Sequence, residues 1–455
     1  MRLCKAVTGV KDRIDAQDRD APLAFRVLSR HDLSSVGPAY VLNLRVSLMF
    51  RFCALLVTGL CCPGLALAAD WARFRGPNGT GAVDDSLVPE KWSASDVRKV
   101  AAPGRGNSSP IVSKDKIFVQ SASEDGRDRM LVCIDAGTLK QDWIAKVPGG
   151  KGKTHAKNSL ASSTPAADGE RIYCLFWDGS DISLHAFDYA GKHLWNTPLG
   201  KFTSQHGAGH SPVVFNGKVF LNNDQDGHAE FQCFDAASGK KLWSVERTAY
   251  RTCYSSPFLL PDGKGGTEVV VSSTAGLAGY DPDTGKPNWQ WTWSFDAMAL
   301  RTVGCAVASS DQNIIFAISG DGNGARHMVA VRRGSNPELI WEKKRGTPYV
   351  PCPLVQGDYV YWISDNGFAM CCEAKTGNIV WDEHLTSGVT SSPVLVNGRI
   401  YAVNEKGSLF VFAAKPKFEL LHKAELGEQV YASPAVADGR LYVRGQQHLF
   451  VIGKK

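Results

Sequence analysis

The sequence feature that most constrains the fold is a unit of 40 to 55 residues that occurs eight times. Each unit opens with Ser-Pro or a close variant and continues through short apolar runs separated by turns. Most units close on a tryptophan that follows an x-Gly turn. A repeat of this length is typical of an array in which one supersecondary unit packs on the next. The openings lie at Pro110, Pro165, Pro212, Pro257, Ala306, Pro353, Pro393 and Pro434.

Glycine-containing turns predict that each unit is an antiparallel meander of four short strands. Asn216-Gly217, Asn397-Gly398 and Asp438-Gly439 suit two-residue hairpin turns, which need positive φ. One meander cannot bury both of its faces, whereas radial packing of several meanders buries them and leaves only short edges. A tryptophan suits the joint between two such sheets, since one indole buries about 150–250 Å². The closing tryptophans are Trp143, Trp195, Trp243, Trp289, Trp341 and Trp381, and unit seven has Leu420-Leu421 instead.

The last unit, residues 429–455, provides only three strands. Residues 92–100 precede the first opening and occupy the place of an outer strand that has no unit before it. We therefore predict an all-β fold, an eight-bladed β-propeller with four-stranded antiparallel blades, in which the N- and C-terminal strands share the last blade. The Ser-Pro openings then fall on the innermost strands, where the missing N–H of proline has no ladder partner to lose.

The pattern Asp-x-x-x-Gly-x-x-x-Trp occurs as Asp235…Gly239…Trp243 and Asp281…Gly285…Trp289, and with glutamate as Glu373…Gly377…Trp381. On this pattern the chain resembles the PQQ-like β-propeller repeat family. Residues 71–81, with the sequence WARFRGPNGTG, also resemble the start of exported bacterial members. The resemblance covers residues 70–455. It implies the propeller fold but not one activity, because the family includes quinoprotein alcohol dehydrogenases and non-enzymatic outer-membrane-protein assembly lipoproteins.

The amino end has the features of an export signal. Arg51 precedes an apolar run over residues 52–69, and Ala66-Leu67-Ala68 resembles a small-x-small cleavage site. A membrane anchor is the alternative, although Gly59, Pro63 and Gly64 interrupt the run. We interpret residues 49–69 as a signal peptide and residues 1–48 as an upstream segment absent from the mature protein. Residues 70–455 then form a single propeller domain that is periplasmic or secreted, without an integral membrane segment after signal cleavage.

The net charge limits the classes of ligand that the protein could bind. The formal net charge is +6, of which residues 1–69 supply +4 and the mature part only +2. A nearly neutral body argues against nucleic-acid binding through bulk charge.

Eight cysteines lie in the mature part, most of them inside apolar strand-like runs, and their spacing matches neither a zinc knuckle nor a small disulfide framework. Export permits disulfides, but buried free thiols are the simpler interpretation.

A quinoprotein oxidoreductase of the alcohol or sugar dehydrogenase type is the enzymatic alternative. The resemblance implies that it would need pyrroloquinoline quinone (PQQ), Ca²⁺ with oxygen ligands and an aspartate base. The adjacent-cysteine disulfide that many such enzymes place against the cofactor has one counterpart here, Cys371-Cys372, where the strand points successive residues to opposite faces. Residues 222–227 begin like a calcium loop, but Cys233 stands where the bidentate glutamate is required, which favours a turn. We predict no catalytic residue, no metal site and no cofactor.

One weaker pattern concerns cations close to the Ser-Pro openings. Five or six residues before the opening residue stand Arg105, His206, Arg251 and Arg301, and His210 and Lys157 lie nearby. Equivalent positions in successive blades surround one mouth of the axial channel. Cations clustered there would attract an anionic ligand. The alternative is that these are solvated loop residues, some of them paired with acids.

These observations favour a non-enzymatic binding or scaffolding propeller in the cell envelope. Its partner would be a protein, an anionic small molecule or a polymer. Carbohydrate recognition by exposed aromatic rings is a third possibility, motivated by Trp289, Trp291 and Trp293, which could equally serve blade packing.

Overall fold

Each repeat unit folds into one sheet, and eight sheets form the propeller that the repeats predict. The structure is a computed structural model that describes residues 70–295 and 298–454. Within a blade the strands A to D run from the channel to the perimeter, and neighbouring strands are antiparallel. The interpretations of residues 1–48 and 49–69 fall outside the described residues and stay predictions.

Strand bounds follow the repeats closely. Blades 1 and 2 consist of Ile111–Ser113, Lys116–Ala122, Asp128–Asp135 and Gln141–Pro148, then Ala166–Ala167, Arg171–Trp177, Asp181–Asp188 and His193–Lys201. Blades 3 and 4 consist of Val213–Phe215, Lys218–Asp224, Ala229–Asp235 and Lys241–Glu246, then Phe258–Pro261, Thr267–Ser272, Gly276–Tyr280 and Pro287–Thr292. Blades 5 and 6 consist of Val307–Ala308, Ile314–Gly320, Arg326–Arg332 and Glu338–Lys343, then Leu354–Gln356, Tyr359–Ile363, Phe368–Glu373 and Ile379–His384.

Blades 7 and 8 both receive a strand from the amino-terminal part of the chain. Their strands are Val394–Val396, Arg399–Val403, Ser408–Ala413 and Leu420–Glu425, then Ala435–Ala437, Arg440–Arg444, His448–Ile452 and Val97–Ala101. A fifth strand, Ala82–Val83, pairs in parallel with strand A of blade 7. Two short 3₁₀ helices, Pro77–Gly79 and Ala94–Asp96, complete the secondary structure. Among the described residues no helix has the length and hydropathy to cross a membrane.

The predicted closure is confirmed. Val97–Ala101 pairs antiparallel with the last strand, with Lys99 opposite Phe450, so both chain ends build blade 8. The strand begins at Val97 rather than at residue 92, because a capping box at Ser93 and Asp96 fixes the preceding 3₁₀ turn. Buried Arg444 of blade 8 donates to the Gln120 carbonyl and the Ser121 hydroxyl of blade 1, which joins the blades on either side of the closure.

The residues that directly precede the eight strand openings form a ring of hydrogen bonds around the axis. The backbone N–H of such a residue donates to the hydroxyl or thiol of the equivalent residue in the next blade, at 2.9 to 3.2 Å. Seven of the eight blade junctions carry this bond, and at the junction of blades 3 and 4 the Ser256 hydroxyl has no hydrogen-bond partner among the described residues. The ring positions are Ser109, Thr164, Ser211, Ser256, Cys305, Cys352, Ser392 and Ser433.

The closing tryptophans lie in D strands, and most of them join one blade to the C–D turn of the next. The Trp195 indole N–H donates to the Ala236 carbonyl at 3.2 Å, and the ring covers Gly239 of the same turn. Gly239 has φ +72°, and a Cβ there would lie 2.4 Å from the Trp195 ring. The Trp of one blade thus packs against the Gly in the C–D turn of the next blade, where a larger residue would clash with the ring. Trp289 differs, because its indole donates to buried Glu268 within blade 4.

The amino-terminal segment, residues 71–83, crosses the axial channel at the end away from the D–A connections. Its backbone bonds to Val112 of blade 1, Ala167 of blade 2 and Leu395 of blade 7. The buried Arg73 guanidinium donates to the Pro257 carbonyl, and buried Arg75 donates to the carbonyls of two further opening prolines, Pro353 and Pro393. The ring and this segment are therefore attached to the same inner strands.

Removal of the closing strand should destabilise all blades, because it leaves blade 8 with three strands. We expect deletion of residues 92–102 to lower the thermal midpoint by at least about 5 °C and to broaden the transition. Differential scanning calorimetry would measure both. The matched control is Lys99→Ala, which trims an exposed side chain and keeps the strand. An unchanged midpoint in the deletion would contradict a role for this strand in closure.

The hydrogen-bond ring predicts a sharp contrast between two serines. Ser392→Ala leaves the buried Cys352 N–H without an acceptor, so we expect a loss of about 1–3 kcal/mol in the free energy of unfolding. Ser256→Ala removes a hydroxyl that has no partner, and should change this free energy by less than about 0.5 kcal/mol. Urea unfolding of both variants provides the measurement. Equal losses would show that the ring bonds add nothing to stability.

Candidate functional site

The candidate site is the end of the channel at which the chain passes from one blade to the next. Because the strands of a blade alternate in direction, the D–A loops and the B–C turns lie at this same end. We call it the crossover mouth. The described residues of the D–A loops are 102–110, 149–165, 202–212, 247–257, 293–295 with 298–306, 344–353, 385–393 and 426–434.

Three of the five predicted cationic residues come together here. The buried Arg301 guanidinium donates to Gln205 Oε1 at 2.7 Å, beside His206. Burial lowers the pKa of His206, and the positive charges of Arg301 and Arg251 lower it further, which shows that the three side chains share one region. Both effects disfavour the protonated form of the His206 imidazole. A role for His206 as a cation of the channel mouth stays a prediction, and the direction of its pKa shift does not favour it.

The sequence analysis missed a third guanidinium, that of Arg326, which follows the B–C turn of blade 5. It stacks over the Tyr349 ring, 5.2 Å from the centroid, and lies 3.7 Å from the Asp365 carboxylate. Burial raises the pKa of Tyr349, while Arg301, Arg251 and Arg326 all act in the opposite direction. We call Arg251, Arg301 and Arg326 the arginine cluster. Counting residues back from B–C turns as well as from Ser-Pro openings would have found Arg326.

Several carboxylates lie close to the arginine cluster. The nearby Asp226 carboxylate accepts hydrogen bonds from the Thr252 N–H and hydroxyl, both at 2.9 Å. Asp365 accepts from the Tyr349 N–H at 2.7 Å. Arg251 is half-buried, and no described residue pairs with its guanidinium. A third carboxylate, that of Asp321, lies in the turn beside Arg326 and accepts from two backbone N–H groups. The guanidinium without a partner among the described residues is therefore that of Arg251, which suits a carboxylate or phosphate ligand.

The other two predicted residues do not join the cluster. The Arg105 side chain is 74% exposed, and its Nε lies 2.5 Å from a carboxylate oxygen of Glu124. His210 is buried with no hydrogen-bond partner on either ring nitrogen, and it stacks on Phe202 at 5.2 Å. Burial lowers the pKa of His210 to about 3, so it is a neutral packing residue and not a cation of the funnel.

The long loop after blade 1, residues 149–165, extends over the crossover mouth. The Lys157 ammonium group lies 2.6 Å from Glu405 of blade 7, and the His155 ring contacts the His206 ring at 5.1 Å between centroids. This loop therefore reaches from blades 1 and 2 past blade 8 to blade 7. The Lys157 charge is paired with an acid and adds little to the attraction of an anion.

The residues considered for an enzymatic site are structural. Cys371 packs toward blade 7 and Cys372 toward blade 5, both in a C strand and away from the axis. In residues 222–227, the Asp224 carboxylate is buried in an ion pair with Arg247, and the chain then turns. The described residues contain no group of three or more His, Cys, Asp or Glu side chains that could hold a metal ion.

The aromatic cluster of blade 4 also belongs to the core. Trp289 and Trp293 are buried, and Trp291 packs beside them against blade 5. Two of the three rings are therefore closed to stacking on a sugar, and Trp291 is half-buried. At the end of the channel opposite the crossover mouth, a cavity of about 210 Å³ lies beside the segment 71–83. Its walls, formed partly by Thr80, Phe258 and Val355, are mainly apolar.

The repeats, the blade joints and the closure define a PQQ-like eight-bladed β-propeller. The family model described as "Outer membrane protein assembly factor BamB" matches residues 90–205, 160–383 and 336–417, so the chain belongs to this family. A BamB from Shewanella oneidensis is 26% identical over 333 residues, which are 69% of this chain and 78% of that protein. A BamB from Moranella endobia is 26% identical over 287 residues, 56% of this chain and 67% of that protein.

Solved structures agree on the fold. BamB from Moraxella catarrhalis superposes with a TM-score of 0.57 at 15% identity, over 79% of this chain and 98% of that chain. Quinohemoprotein alcohol dehydrogenase from Comamonas testosteroni superposes with a TM-score of 0.63 at 14% identity, over 85% of this chain and 81% of that chain. At such identities the two superpositions establish the architecture and do not distinguish the functions.

Burial of His210 predicts a pH effect on stability. Its pKa is about 3 in the folded state and about 6.5 when unfolded, so below about pH 6.5 protons bind preferentially to the unfolded chain. Stability is lost as the pH falls from there toward about 3. At pH 5 this loss amounts to about 2 kcal/mol, which His210→Leu should abolish. Urea unfolding at pH 7.5 and 5.0 measures it, with His228→Gln, at an exposed position, as control. Identical pH losses in His210→Leu and wild type would refute this assignment.

Proposed function

We propose that this protein is a non-enzymatic scaffold of the cell envelope that supports outer-membrane protein assembly. The observation that carries the proposal is the extent of the family match, which runs through most of the ring from residue 90 to residue 417. The relatives named for this assembly role are matched over two thirds or more of their own length. The function requires export to the periplasm, which the amino-terminal sequence supports, and it requires no cofactor.

We further infer that the crossover mouth binds an acidic segment of a partner protein. A guanidinium pairs with a carboxylate through two parallel hydrogen bonds, and its affinity rises where the site is partly desolvated. Arg251 meets this condition, since it is half-buried and unpaired among the described residues beside Arg301. The loop that extends to Glu405 would limit access, which favours an extended chain over a folded surface.

A complementation experiment tests the scaffold. In a strain that lacks this gene, folded outer-membrane β-barrel proteins should decrease, as measured by heat-modifiable mobility and quantitative mass spectrometry of the outer membrane. The wild-type gene should restore them. Unchanged levels in the deletion strain would overturn the proposed function. Saturable PQQ binding in the presence of Ca²⁺, followed by absorbance, together with alcohol oxidation would favour the quinoprotein alternative.

Charge reversal at the crossover mouth tests the binding site. Arg251→Glu should weaken binding of a fluorescent 15-residue polyglutamate probe at least about tenfold, and salt should weaken wild-type binding, because the contact is electrostatic. Fluorescence anisotropy measures both. Lys240→Glu, an exposed change in a C–D turn at the other end of the blades, makes the same change in net charge and should leave binding unaffected. Equal affinities of the two variants would exclude the arginine cluster as the site.

A further inference from the structure

Sulfur replaces oxygen at two neighbouring positions of the hydrogen-bond ring. Cys305 of blade 5 and Cys352 of blade 6 are the residues before the strand openings, where the other six blades have serine or threonine. Both are buried, and the Cys305 N–H donates to Cys352 Sγ at 3.0 Å. The Cys305 nitrogen is one bond from the Cys305 Cα, and Cys352 Sγ is two bonds from the Cys352 Cα. The distance between the two Cα atoms is therefore at most about 7 Å. Both thiols are free in the structure. The upper limit lies just above the range of about 4.4–6.8 Å that a disulfide spans between Cα atoms, so at most a small backbone shift would bring the two sulfurs into bonding range.

The charge around the two sulfurs favours thiolate chemistry. The Arg75 guanidinium donates to the Pro353 carbonyl at 2.7 Å, in the residue next to Cys352. Burial raises the pKa of Cys352, but the Cys305 thiol and the Arg75 charge outweigh it and lower this pKa to about 6. The hydrogen bond to Cys352 and burial raise the pKa of Cys305. A fixed guanidinium beside the sulfurs also opposes the binding of a metal cation, so the pair is suited to oxidation.

We propose that Cys305 and Cys352 form a disulfide in the mature protein, which joins blades 5 and 6 at the axis. The oxidant is the disulfide of an envelope thiol oxidoreductase. The Cys352 thiolate attacks one of its sulfurs, which forms a mixed disulfide and releases one thiolate. The Cys305 thiolate then attacks Cys352 Sγ and releases the second thiolate. Two protein thiols lose two electrons and two protons, and the oxidant becomes a dithiol.

Cys253, Cys371 and Cys372 lack this arrangement. Cys371 and Cys372 point to opposite faces of one strand, and the Cys253 thiol donates to the Ser272 carbonyl at 3.2 Å. Because both ring sulfurs are buried once the ring is closed, the exchange precedes closure by the last blade, at a stage at which Arg75 already lies beside the inner strands of blades 6 and 7. The disulfide depends on an oxidising compartment and not on the partner, so its failure would be distinguishable from failure of the proposed function.

Peptide mass spectrometry tests the disulfide directly. The full chain, exported to a bacterial periplasm, is denatured with N-ethylmaleimide and digested without reductant. We expect one linked peptide pair that contains Cys305 and Cys352, about 2 Da lighter than the sum of the reduced peptides, with the other mature cysteines alkylated. Alkylation of both ring cysteines in most of the exported protein would overturn the proposal.

Serine substitution distinguishes the contribution of the disulfide to stability from that of side-chain packing, because serine is the residue that most blades have at this position. Cys305→Ser/Cys352→Ser keeps an acceptor for each ring N–H and removes only the covalent bond. Without reductant its thermal midpoint should be about 5 °C below that of wild type, and the two should agree when both are refolded and measured with reductant. Cys253→Ser is the control, with the linked peptide still present. A difference between wild type and the double variant that persists unchanged in reductant would contradict a covalent contribution.

Discussion

The structure depends on how the innermost edge of each blade satisfies its backbone groups. A propeller places eight strand edges around an axis, where they have no further strand to pair with, and a buried unpaired N–H is costly. Here the residue before the opening proline donates its N–H to a short side chain of the next blade, while the proline itself has no N–H to satisfy. At seven of the eight junctions between described blades this bond joins an inner edge to its neighbour, and it limits the ring position to residues with a short acceptor. The closing tryptophan does the same at the perimeter, since its indole donates to the next C–D turn.

The sequence predicts the number of blades, their order and the shared last blade because these features depend on local chemistry. Hairpin turns, alternating apolar runs and the missing fourth strand of residues 429–455 are visible without knowledge of tertiary contacts. The hydroxyl of the Ser-Pro pair has no role that the sequence makes visible, because tolerance of proline at an edge already explains the pattern. The crossing of the channel by residues 71–83 has no local signal at all, since Arg75 meets Pro393 across 318 positions of sequence.

The candidate site was predictable only in outline. Counting residues before each opening located Arg251, Arg301 and His206, since it identifies the D–A loops by their topology. It could not show which of these side chains are charged, because charge depends on burial that the chain establishes only after folding. His210 has the same spacing as a funnel residue but lies under Phe202, where burial keeps it neutral. Arg326 lies beside a B–C turn. These turns also reach the crossover mouth, but they do not precede a Ser-Pro opening, so counting back from the openings does not find them.

The two ends of the channel use arginine for different purposes, and hydrogen bonding distinguishes them. Arg75 is buried, and each of its three guanidinium nitrogens donates to at least one backbone carbonyl. Arg73 has a bond to the Pro257 carbonyl, and burial lowers its pKa to about 10, which reflects the cost of holding a charge away from water. Such charges are committed to the fold and have little capacity left for a ligand. Arg251 at the crossover mouth has neither deep burial nor a described partner, so its hydrogen-bonding groups remain available. An anionic partner gains most binding free energy where a guanidinium is held in place but its N–H donors lack acceptors. This condition is met at the crossover mouth rather than at the end that the amino-terminal segment occupies.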